Sequence, residues 1–532
     1  MRWFLFFWMS FLATAQTSDF PYTLQITPIA NTNLPGLHSY AFGMWQNKWV
    51  FVGGRLDGIH ARQPFNAFPA NSSNTMLIVY QPSTNQIWTR SVNELAVGLK
   101  EQLQSTNMNF YQDGNHLIII GGYSFAASVN DHITHNKLTT IDLSVLVPAI
   151  QNNSAIASAF KQITNENFAI TGGQLGKIDN TYYLVGGHRF DGRYNPMGNP
   201  TFTQTYSNQI RKFQLDLNSS TLAISNYEAI TDPVHLRRRD YNLVPQVFAN
   251  NQLGYLISSG VFQANADLPF LYPVEIKATG HEAITSFNQY LSNYHSGKLG
   301  LWDATQQKMH SLFFGGISQY YYQNNTLVQD DQVPFVKTIS RVTRSQNGTY
   351  QEFKFAQEMP ALKGAGAEFI PNLNLPHFSN EVLKLNEITA EEFVIGHLYG
   401  GILSTTINPF SNNATSTQTQ ADASLYEVKL VKDTTLGAQA LDGKNPFSVK
   451  ILQNPIQQST FRLGFTLPYV ANLSYFITSF DGKLLAEGEI EDHTQGYQEM
   501  NFALDPSIQT DFILTMVLDH KYYVSQKILW RK

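Results

Sequence analysis

The sequence of 532 residues predicts an all-β protein with a large repetitive part followed by a small β-sandwich. An apolar strand ending in a glycine pair occurs five times between residues 49 and 401, and once more in a weakened form. Aromatic residues make up 13% of the chain, which favours strands over helices. After residue 445 the glycine pairs stop and short alternating strands follow, which predicts a separate β domain.

The first fifteen residues have the features of a cleavable signal peptide. Met1-Arg2 gives a positive start, and Trp3–Leu12 is an apolar run too short to span a bilayer. Ala13–Ala15 supplies small residues for cleavage before Gln16. A buried strand or helix is the alternative interpretation of this run. No later stretch is apolar enough for a transmembrane helix, so we expect a protein that passes through the periplasm and is secreted or held at the outer cell surface.

Composition excludes several classes of function. The net charge of -5 gives no reason to expect a nucleic-acid partner. The chain has no cysteine, which excludes disulfides, thiolate metal sites and cysteine nucleophiles. An exported protein of this kind is held together by its hydrophobic core alone, and a chain of this length can bury enough surface for that.

One supersecondary unit accounts for most of the chain. Its marker is a strand of β-branched and aromatic residues that ends in a glycine pair, or in Ser259-Gly260 in the weakened copy. The pairs begin at 53, 121, 186, 259, 315 and 400. Because the unit is constant while the spacing varies, we expect a fixed element that carries loops of different lengths.

Further strands surround each glycine-pair strand. In the first repeat, Ser39–Gly43 precedes the pair, while Met76–Tyr80 and Ile87-Trp88 follow it. Four short antiparallel strands per repeat are typical of the blade of a β-propeller. Glycine suits the end of the second strand because it reaches positive φ and lets backbones approach closely. A set of unrelated hairpins is the alternative.

The two ends of the repetitive part are complementary. Tyr22–Thr27 is a strand with no glycine pair before it, and the last repeat has Leu425–Leu430 but no obvious fourth strand. We therefore expect the N-terminal strand to complete the last sheet, which removes an exposed edge.

The repeats resemble the kelch family. The fullest match runs from Gly53-Gly54 through Tyr80 to Trp88, with the glycine pair, the tyrosine and the tryptophan at kelch-like offsets. The other repeats keep the pair and mostly lose the tryptophan. The resemblance covers roughly residues 20–432 and implies a six-bladed kelch-like β-propeller, which we place at residues 16–432. It implies little about chemistry, because one fold supports many functions.

The C-terminal region is a second domain. Residues 433–444 are small and polar and read as a linker, and residues 445–532 contain six alternating strands, as in a small β-sandwich. This segment resembles the C-terminal sorting domain of the type IX secretion system. The shared motifs are Asn454-Pro455, Phe480–Lys483 and the basic end Lys527–Lys532, while the Gly-x-Tyr usual in that family is replaced by Asp511-Phe512. The resemblance implies the export machinery as a partner; a carbohydrate-binding or immunoglobulin-like module is the alternative.

No strong catalytic motif is present. The sequence lacks the H-E-x-x-H, G-x-S-x-G, P-loop and EF-hand patterns. Kelch-type oxidases use a copper-bound tyrosine crosslinked to cysteine, and that group cannot form without cysteine. We expect neither a metal nor a cofactor, and the sequence identifies no catalytic residue.

Loops beside the glycine pairs supply the candidate site. In kelch propellers, the loop after the pair and the loop that enters the next blade share one face. Arginine forks and aromatic rings on such a face suit anionic sugars or polar peptides. The alternative is that these side chains brace neighbouring blades through ion pairs. The predicted ligand-binding residues, expected around the mouth of the central channel, are Arg55, His188, Arg189, Arg193, Arg238 and His295.

The sequence therefore predicts a secreted or cell-surface binding protein whose loop face recognises a glycan or protein ligand. The rival class is a secreted sugar-modifying enzyme similar in architecture to the kelch-type N-acetylneuraminate epimerase. A deep pocket with a tight cluster of histidine, arginine and glutamate would favour the enzyme, and a broad shallow face would favour binding.

Overall fold

The computed structural model describes residues 20–30, 32–62, 66–195, 201–323, 326–411, 418–432, 447–467, 473–480, 483–490, 495–518 and 522–531. The predicted signal peptide, the predicted linker and the Asp481-Gly482 turn lie outside the described residues. Thr23–Val431 form one compact unit, and the described residues from Lys432 onward belong to a second. Within the described part of the chain, no helix is both long and apolar enough to cross a membrane.

The prediction of an all-β protein is confirmed. The α-helices of the described residues are Val97–Leu103 and Leu143–Gln151, the second capped by the Asp142 side chain, which accepts from the Ser144 amide. Short 3-10 helices lie at Ala70–Ser72, Val92–Glu94, Ala157–Ala159, Glu166–Phe168, Ala249–Asn251, Leu385–Glu387 and Pro409–Ser411.

Six antiparallel sheets, named sheet 1 to sheet 6 in chain order, make up the larger unit. Sheet 1 contains Ala41–Trp45, Lys48–Val52, Met76–Gln81 and Gln86–Ser91. Sheet 2 contains Asn109–Asp113, His116–Ile120, Lys137–Asp142 and Phe160–Thr164. Sheet 3 contains Gln174–Ile178, Thr181–Val185, Gln209–Leu215 and Ile224–Thr231. Sheet 4 contains Asn242–Val247, Leu253–Ser258, Val274–Lys277 and Gly280–Ala283.

Sheets 5 and 6 each have one extra short strand. Sheet 5 contains Gly297–Asp303, Lys308–Phe314, Thr338–Arg344 and Tyr350–Glu358, with Leu383–Lys384 added in parallel to the first of these. Sheet 6 contains Leu362–Pro371, Glu392–Ser404, Leu425–Lys432 and Tyr22–Ile29, with Thr419–Ala421 beside the second. The N-terminal strand thus pairs with the strand at Leu425–Lys432, as the sequence predicts.

Three hairpins project from the loops that follow the glycine pairs. They are Tyr123–Ala126 with Asp131–Thr134, His188–Gly192 with Phe202–Tyr206, and Tyr320–Gln323 with Thr326–Gln329.

The hydrophobic core is divided among the interfaces between successive sheets. Val50 and Leu117 belong to one cluster from sheets 1 and 2. Equivalent clusters join sheets 2 and 3, sheets 3 and 4, sheets 4 and 5, and sheets 6 and 1. Phe314 of sheet 5 stacks on Phe369 of sheet 6 with ring centroids 5.1 Å apart. Every sheet therefore packs against the one before and the one after it, and sheet 6 packs against sheet 1.

The glycine pairs make this close packing possible. At all six positions both residues have positive φ, including Ser259 at 54° in the weakened copy. A Cβ on Gly121 would lie 1.9 Å from the carbonyl oxygen of Ile170, so no side chain fits there. The amide of the second residue of each pair donates to a carbonyl at the start of the next sheet. These bonds are Gly54 to Ser105 (2.8 Å), Gly122 to Ile170 (3.0 Å), Gly187 to Arg238 (2.8 Å), Gly260 to Asn293 (3.0 Å), Gly316 to Lys363 (2.9 Å) and Gly401 to Leu37 (2.9 Å).

The second unit contains two antiparallel sheets over a core that includes Phe461, Phe502 and Phe512. One sheet has Ser448–Ile451, Thr460–Leu467 and Gly496–Ala503. The other has Leu484–Ile490, Leu473–Thr478, Phe512–Leu518 and Tyr522–Ile528. Side chains of the strand Phe512–Leu518 alternate between buried and half-buried, as expected for a strand with one face on the core.

Candidate ligand-binding site

A closed ring of backbone hydrogen bonds lies at the start of the first strands of the six sheets. Each sheet contributes one residue, whose amide donates to the carbonyl of the corresponding residue in the preceding sheet. The bonds are Ser39 to Gly366 (2.8 Å), Asn107 to Ser39 (3.1 Å), Gly172 to Asn107 (3.2 Å), Asp240 to Gly172 (2.7 Å), His295 to Asp240 (2.8 Å) and Gly366 to His295 (3.0 Å). We call these six residues the ring.

The ring explains an unusual choice of residues. Ser39, Asn107 and Asp240 have φ between 50° and 53°, and the two ring glycines also have positive φ. Asparagine, aspartate and glycine tolerate this left-handed conformation better than other residues. The sequence at these sites therefore satisfies a backbone requirement, while it leaves the polar side chains of Asp240 and His295 at the centre of the unit.

Two cavities share the ring as a boundary. The cavity on the side of the glycine-pair loops has a volume of about 410 Å³, and we call it the cup. The cavity on the side of the strands has a volume of about 140 Å³, and we call it the chamber. Ser39, Asn107, Asp240 and His295 line both.

Aromatic side chains form much of the cup wall. Tyr194 meets His60 edge to face at 4.5 Å, and His60 stacks on Phe68 at 4.8 Å. Burial lowers the pKa of His60 to about 4, so its imidazole is neutral at pH 7. The aromatic residues that line the cup are Phe68, Tyr123, Phe190, Tyr194, Phe262, Tyr294 and Phe410.

His188 is a second neutral imidazole in the cup. It begins the hairpin strand His188–Gly192, and its Nδ1 lies 2.7 Å from Nε2 of Gln204 on the partner strand. Burial first, and then the charge of Arg239, hold the pKa of His188 well below its ordinary value. The side chain is therefore available for hydrogen bonding without carrying charge.

Arg239 is the guanidinium closest to the ring in sequence. It pairs with Asp240, donates from Nε to the hydroxyl of Tyr206 (3.2 Å), and lies 5.0 Å from the ring centre of Phe262. Burial alone would lower the pKa of Arg239, but the Asp240 carboxylate together with the hydroxyls of Tyr206 and Tyr294 outweighs burial and raises that pKa. The pair is a fixed dipole in the cup wall, not a free positive charge.

A buried charge cluster lies beside the ring. Nε2 of His295 is 2.8 Å from Oε1 of Glu368, and Nζ of Lys298 is 3.6 Å from Oε2 of the same carboxylate. The Glu368 side chain is only 3% exposed. Burial alone would raise the pKa of Glu368, but Lys298 and His295 outweigh burial and lower it, so the carboxylate stays ionised.

The structure brings two of the six predicted residues, His188 and His295, together in the cup. None of the four predicted arginines lines it. Arg55 is buried and forms a two-pronged ion pair with Asp57, whose shorter contact is 2.5 Å. Nε of Arg193 donates to the carbonyl of Ala67 (2.7 Å).

The other two arginines also bind within the protein. Arg189 is exposed and pairs with Glu166 (2.9 Å) and Asp191 (2.5 Å). Arg238 is fully buried, and its guanidinium donates to backbone carbonyls that include that of Tyr272 (2.6 Å). The four arginines are thus bound by carboxylates and carbonyls of the protein itself, which fits the alternative that they brace the structure better than a role in ligand binding.

Several residues that line the cup or the chamber were not in the predicted set. Arg239 is adjacent to the predicted Arg238, and the run of three arginines does not show which of them points into the cup. Tyr194 follows the predicted Arg193 directly. Glu368 lies inside the strand Leu362–Pro371, where no sequence signal separates it from a surface glutamate. Among the described residues, no group of three or more histidine, aspartate or glutamate side chains is placed to hold a metal ion.

No family model matches the chain, and no curated protein matches it. Among solved structures, that of YjhT is similar at 10% identity and a TM-score of 0.41, covering 74% of this chain and 95% of its own. A glycoside hydrolase family 43 arabinoxylan arabinofuranohydrolase from Bacillus subtilis, solved with cellotetraose, is similar at 10% identity and a TM-score of 0.26, covering 94% of this chain and 98% of its own. Similarities this weak carry no inference about function.

Proposed function

We propose that the cup binds a glycan and that the protein is an exported binding protein. The observation that carries this proposal is the cup itself. It is a cavity of about 410 Å³ lined by seven Phe and Tyr side chains, with polar groups where it meets the ring. Small-molecule sites commonly have volumes of about 300–1,000 Å³ and combine apolar walls with a few orienting polar groups. A cavity of this volume suits a sugar of one or a few units better than the flat surface of a protein.

The chemistry of the wall also suits a sugar. A pyranose presents apolar C–H faces that pack on aromatic rings and hydroxyls that need hydrogen-bond partners. His60 and His188 are neutral, so each can offer a donor or an acceptor, and the Asp240 carboxylate accepts.

The lining charges favour a neutral glycan. Two arginines, Arg62 and Arg239, face three aspartates, Asp240, Asp267 and Asp331. The preference for an anionic sugar, which the predicted arginines implied, is not supported by this balance.

Calorimetry with neutral oligosaccharides chosen from a glycan array tests the proposal. We expect Tyr194→Ala to weaken binding more than about tenfold, because loss of an aromatic anchor costs about 2 kcal/mol or more. Tyr227→Ala is the matched control, since Tyr227 is exposed on the last strand of sheet 3. Equal affinity in the two variants, or no neutral glycan ligand on the array, would contradict the proposal.

We also infer the finer features of the fold and the route of export. The closed ring and the six inter-sheet bonds support a six-bladed propeller of kelch type. The two sheets of the second unit support a β-sandwich, for which we propose the role of a type IX sorting domain read by the secretion machinery. Deleting residues 445–532 should leave a folded propeller in the periplasm, and normal surface delivery of that protein would contradict the sorting role.

An enzymatic role is the second candidate, because His295 and Glu368 form a histidine–carboxylate pair beside the cup floor. Such a pair can orient an imidazole for proton transfer to a bound sugar. NMR of each array ligand incubated with the protein would show conversion if it occurs. His295→Gln should then abolish conversion while binding persists, and unchanged ligand spectra would leave binding as the function.

A further inference from the structure

The far end of the chamber is closed by a turn between the two long strands of sheet 6. The Phe378 amide donates to the carbonyl of Val382 (2.9 Å), and the Glu381 amide donates to the carbonyl of Phe378 (2.9 Å). Nδ2 of Asn380 donates to the carbonyl of Gln246 in sheet 4 (3.0 Å). The turn is thereby fixed to the wall, and both Asn380 and Glu381 line the chamber.

Two oxygen-bearing groups of this turn lack a partner. Asn380 is only 4% exposed, and its Oδ1 accepts no hydrogen bond from any of the residues that the structure describes. The Glu381 carboxylate forms neither a hydrogen bond nor an ion pair with any other residue in the described part of the chain. Buried polar atoms are rarely left in this state, so Asn380 Oδ1 points to a missing donor. Glu381 is half-buried, so its carboxylate keeps some contact with solvent.

The other charges near the chamber are matched. Lys298 and His295 face Glu368, and Arg239 pairs with Asp240. Among the described residues, Glu381 has no partner within ion-pair distance, although the charges of His377 and Lys298 act on it from farther away. Burial raises the pKa of Glu381, and the charges of His377 and Lys298 offset this only in part, so a further cation beside the carboxylate would favour the ionised form.

Aromatic side chains form much of the remaining wall, beside aliphatic, methionine and glutamine side chains. The aromatic residues that line the chamber are Tyr40, Phe42, Phe110, Tyr111, Tyr255 and Phe369. The faces of such rings attract organic cations, whereas a metal ion such as Ca²⁺ takes six to eight oxygen ligands. Two oxygen-bearing side chains without a close partner among six rings therefore suit an alkylammonium group better than a metal ion.

We propose that the chamber is a second binding site, distinct from the cup, that takes a small alkylammonium cation between the Glu381 carboxylate, Asn380 Oδ1 and the aromatic wall. This site goes beyond the proposed glycan binding and does not depend on it.

The test measures the thermal midpoint and the calorimetric affinity of the full chain with tetramethylammonium and methylammonium chlorides. Sodium and potassium chlorides at equal ionic strength are the metal-ion arms, and tert-butanol is the uncharged analogue. We expect the alkylammonium salts alone to raise the midpoint. A similar rise with tert-butanol or potassium, or no rise with either ammonium salt, would overturn the proposal.

Variants of the same loop locate the site. Glu381→Gln keeps the shape and removes the charge, so we expect at least a tenfold loss of alkylammonium affinity. Glu387→Gln is the control, because Glu387 is exposed and pairs with Lys384 at 3.1 Å. Equal affinities in the two variants would place the cation elsewhere and overturn the assignment. The tert-butanol comparison with the unmodified chain remains decisive if Glu381→Gln fails to fold.

Discussion

Replacing Arg238 with methionine should destabilise the larger unit strongly. The guanidinium is fully buried and donates to the carbonyls of His235 (2.9 Å), Ser259 (2.8 Å) and Tyr272 (2.6 Å). It also lies 4.2 Å from the ring centre of Phe270. Methionine keeps the length of the side chain but leaves one buried carbonyl, that of Ser259, and two partly buried carbonyls without these donors.

The magnitude follows from these contacts. Each buried acceptor left without a partner costs about 1–3 kcal/mol. Part of this is offset because the interior disfavours the charge, as burial lowers the pKa of Arg238 to about 10. A net loss of about 3–5 kcal/mol is expected, because each of three hydrogen bonds from a charged donor contributes about 1.5–3 kcal/mol before that offset.

Urea unfolding followed by tryptophan fluorescence measures this loss, with Arg189→Met as the control. Arg189 is exposed, and exposed ion pairs contribute about 0–1 kcal/mol. Coincident unfolding midpoints for the two variants would refute the assignment of Arg238 to the core. A loss of glycan affinity by Arg238→Met with an unchanged midpoint would restore its predicted role as a binding residue.

Three further predictions concern the fold. Gly121→Ala should lower the free energy of unfolding in urea by more than about 2 kcal/mol, because the new Cβ would collide with a carbonyl. Gly114→Ala, at φ 58° with open space around it, should lower it by only about 1 kcal/mol. Equal losses would contradict the close packing. The folded pKa of His135 is lowered to about 4 from 6.5, so the unfolded chain binds the extra proton, and stability is retained above pH 6.5 and lost as the pH falls from 6.5 towards 4. His135→Gln should flatten that decline in urea midpoints, and an unchanged slope would contradict it. Deleting Tyr22–Ile29 should expose the edge of Leu425–Lys432 and lower the thermal midpoint, and light scattering should show association; an unaltered midpoint would show that the strand is dispensable.

The repeated fold could be predicted because its determinants are local. A glycine pair after an apolar strand satisfies a positive-φ requirement that each repeat meets alone, and even Ser259-Gly260 preserves it. The pairing of Tyr22–Ile29 with Leu425–Lys432 could also be predicted, because an unpaired strand at each end of the repeats has few other partners.

The candidate site could be predicted only in part. His188 and His295 occupy positions set by the repeat, so their place in the cup followed from the pattern. Side chains of consecutive residues point in different directions, and the sequence does not determine which arginine of 237–239 points into the cup. Glu368 lies within a strand, and its role arises only when sheet 5 brings Lys298 and His295 against it.

The ring has a consequence for the order of folding. The bond from Ser39 to Gly366 joins residues that are distant in the chain, so this contact cannot form until most of the larger unit has been synthesised. Contacts of such long range are slow to form because they carry a large loop-closure entropy. Sheets 2 to 5 can each pair their own strands early. Sheet 6 can be completed only when Tyr22–Ile29 and the strands that follow Leu362 are both available. We therefore expect the joining of sheet 6 to sheet 1 to be the last step of folding, so that the walls of the cup and the chamber are completed only at that step.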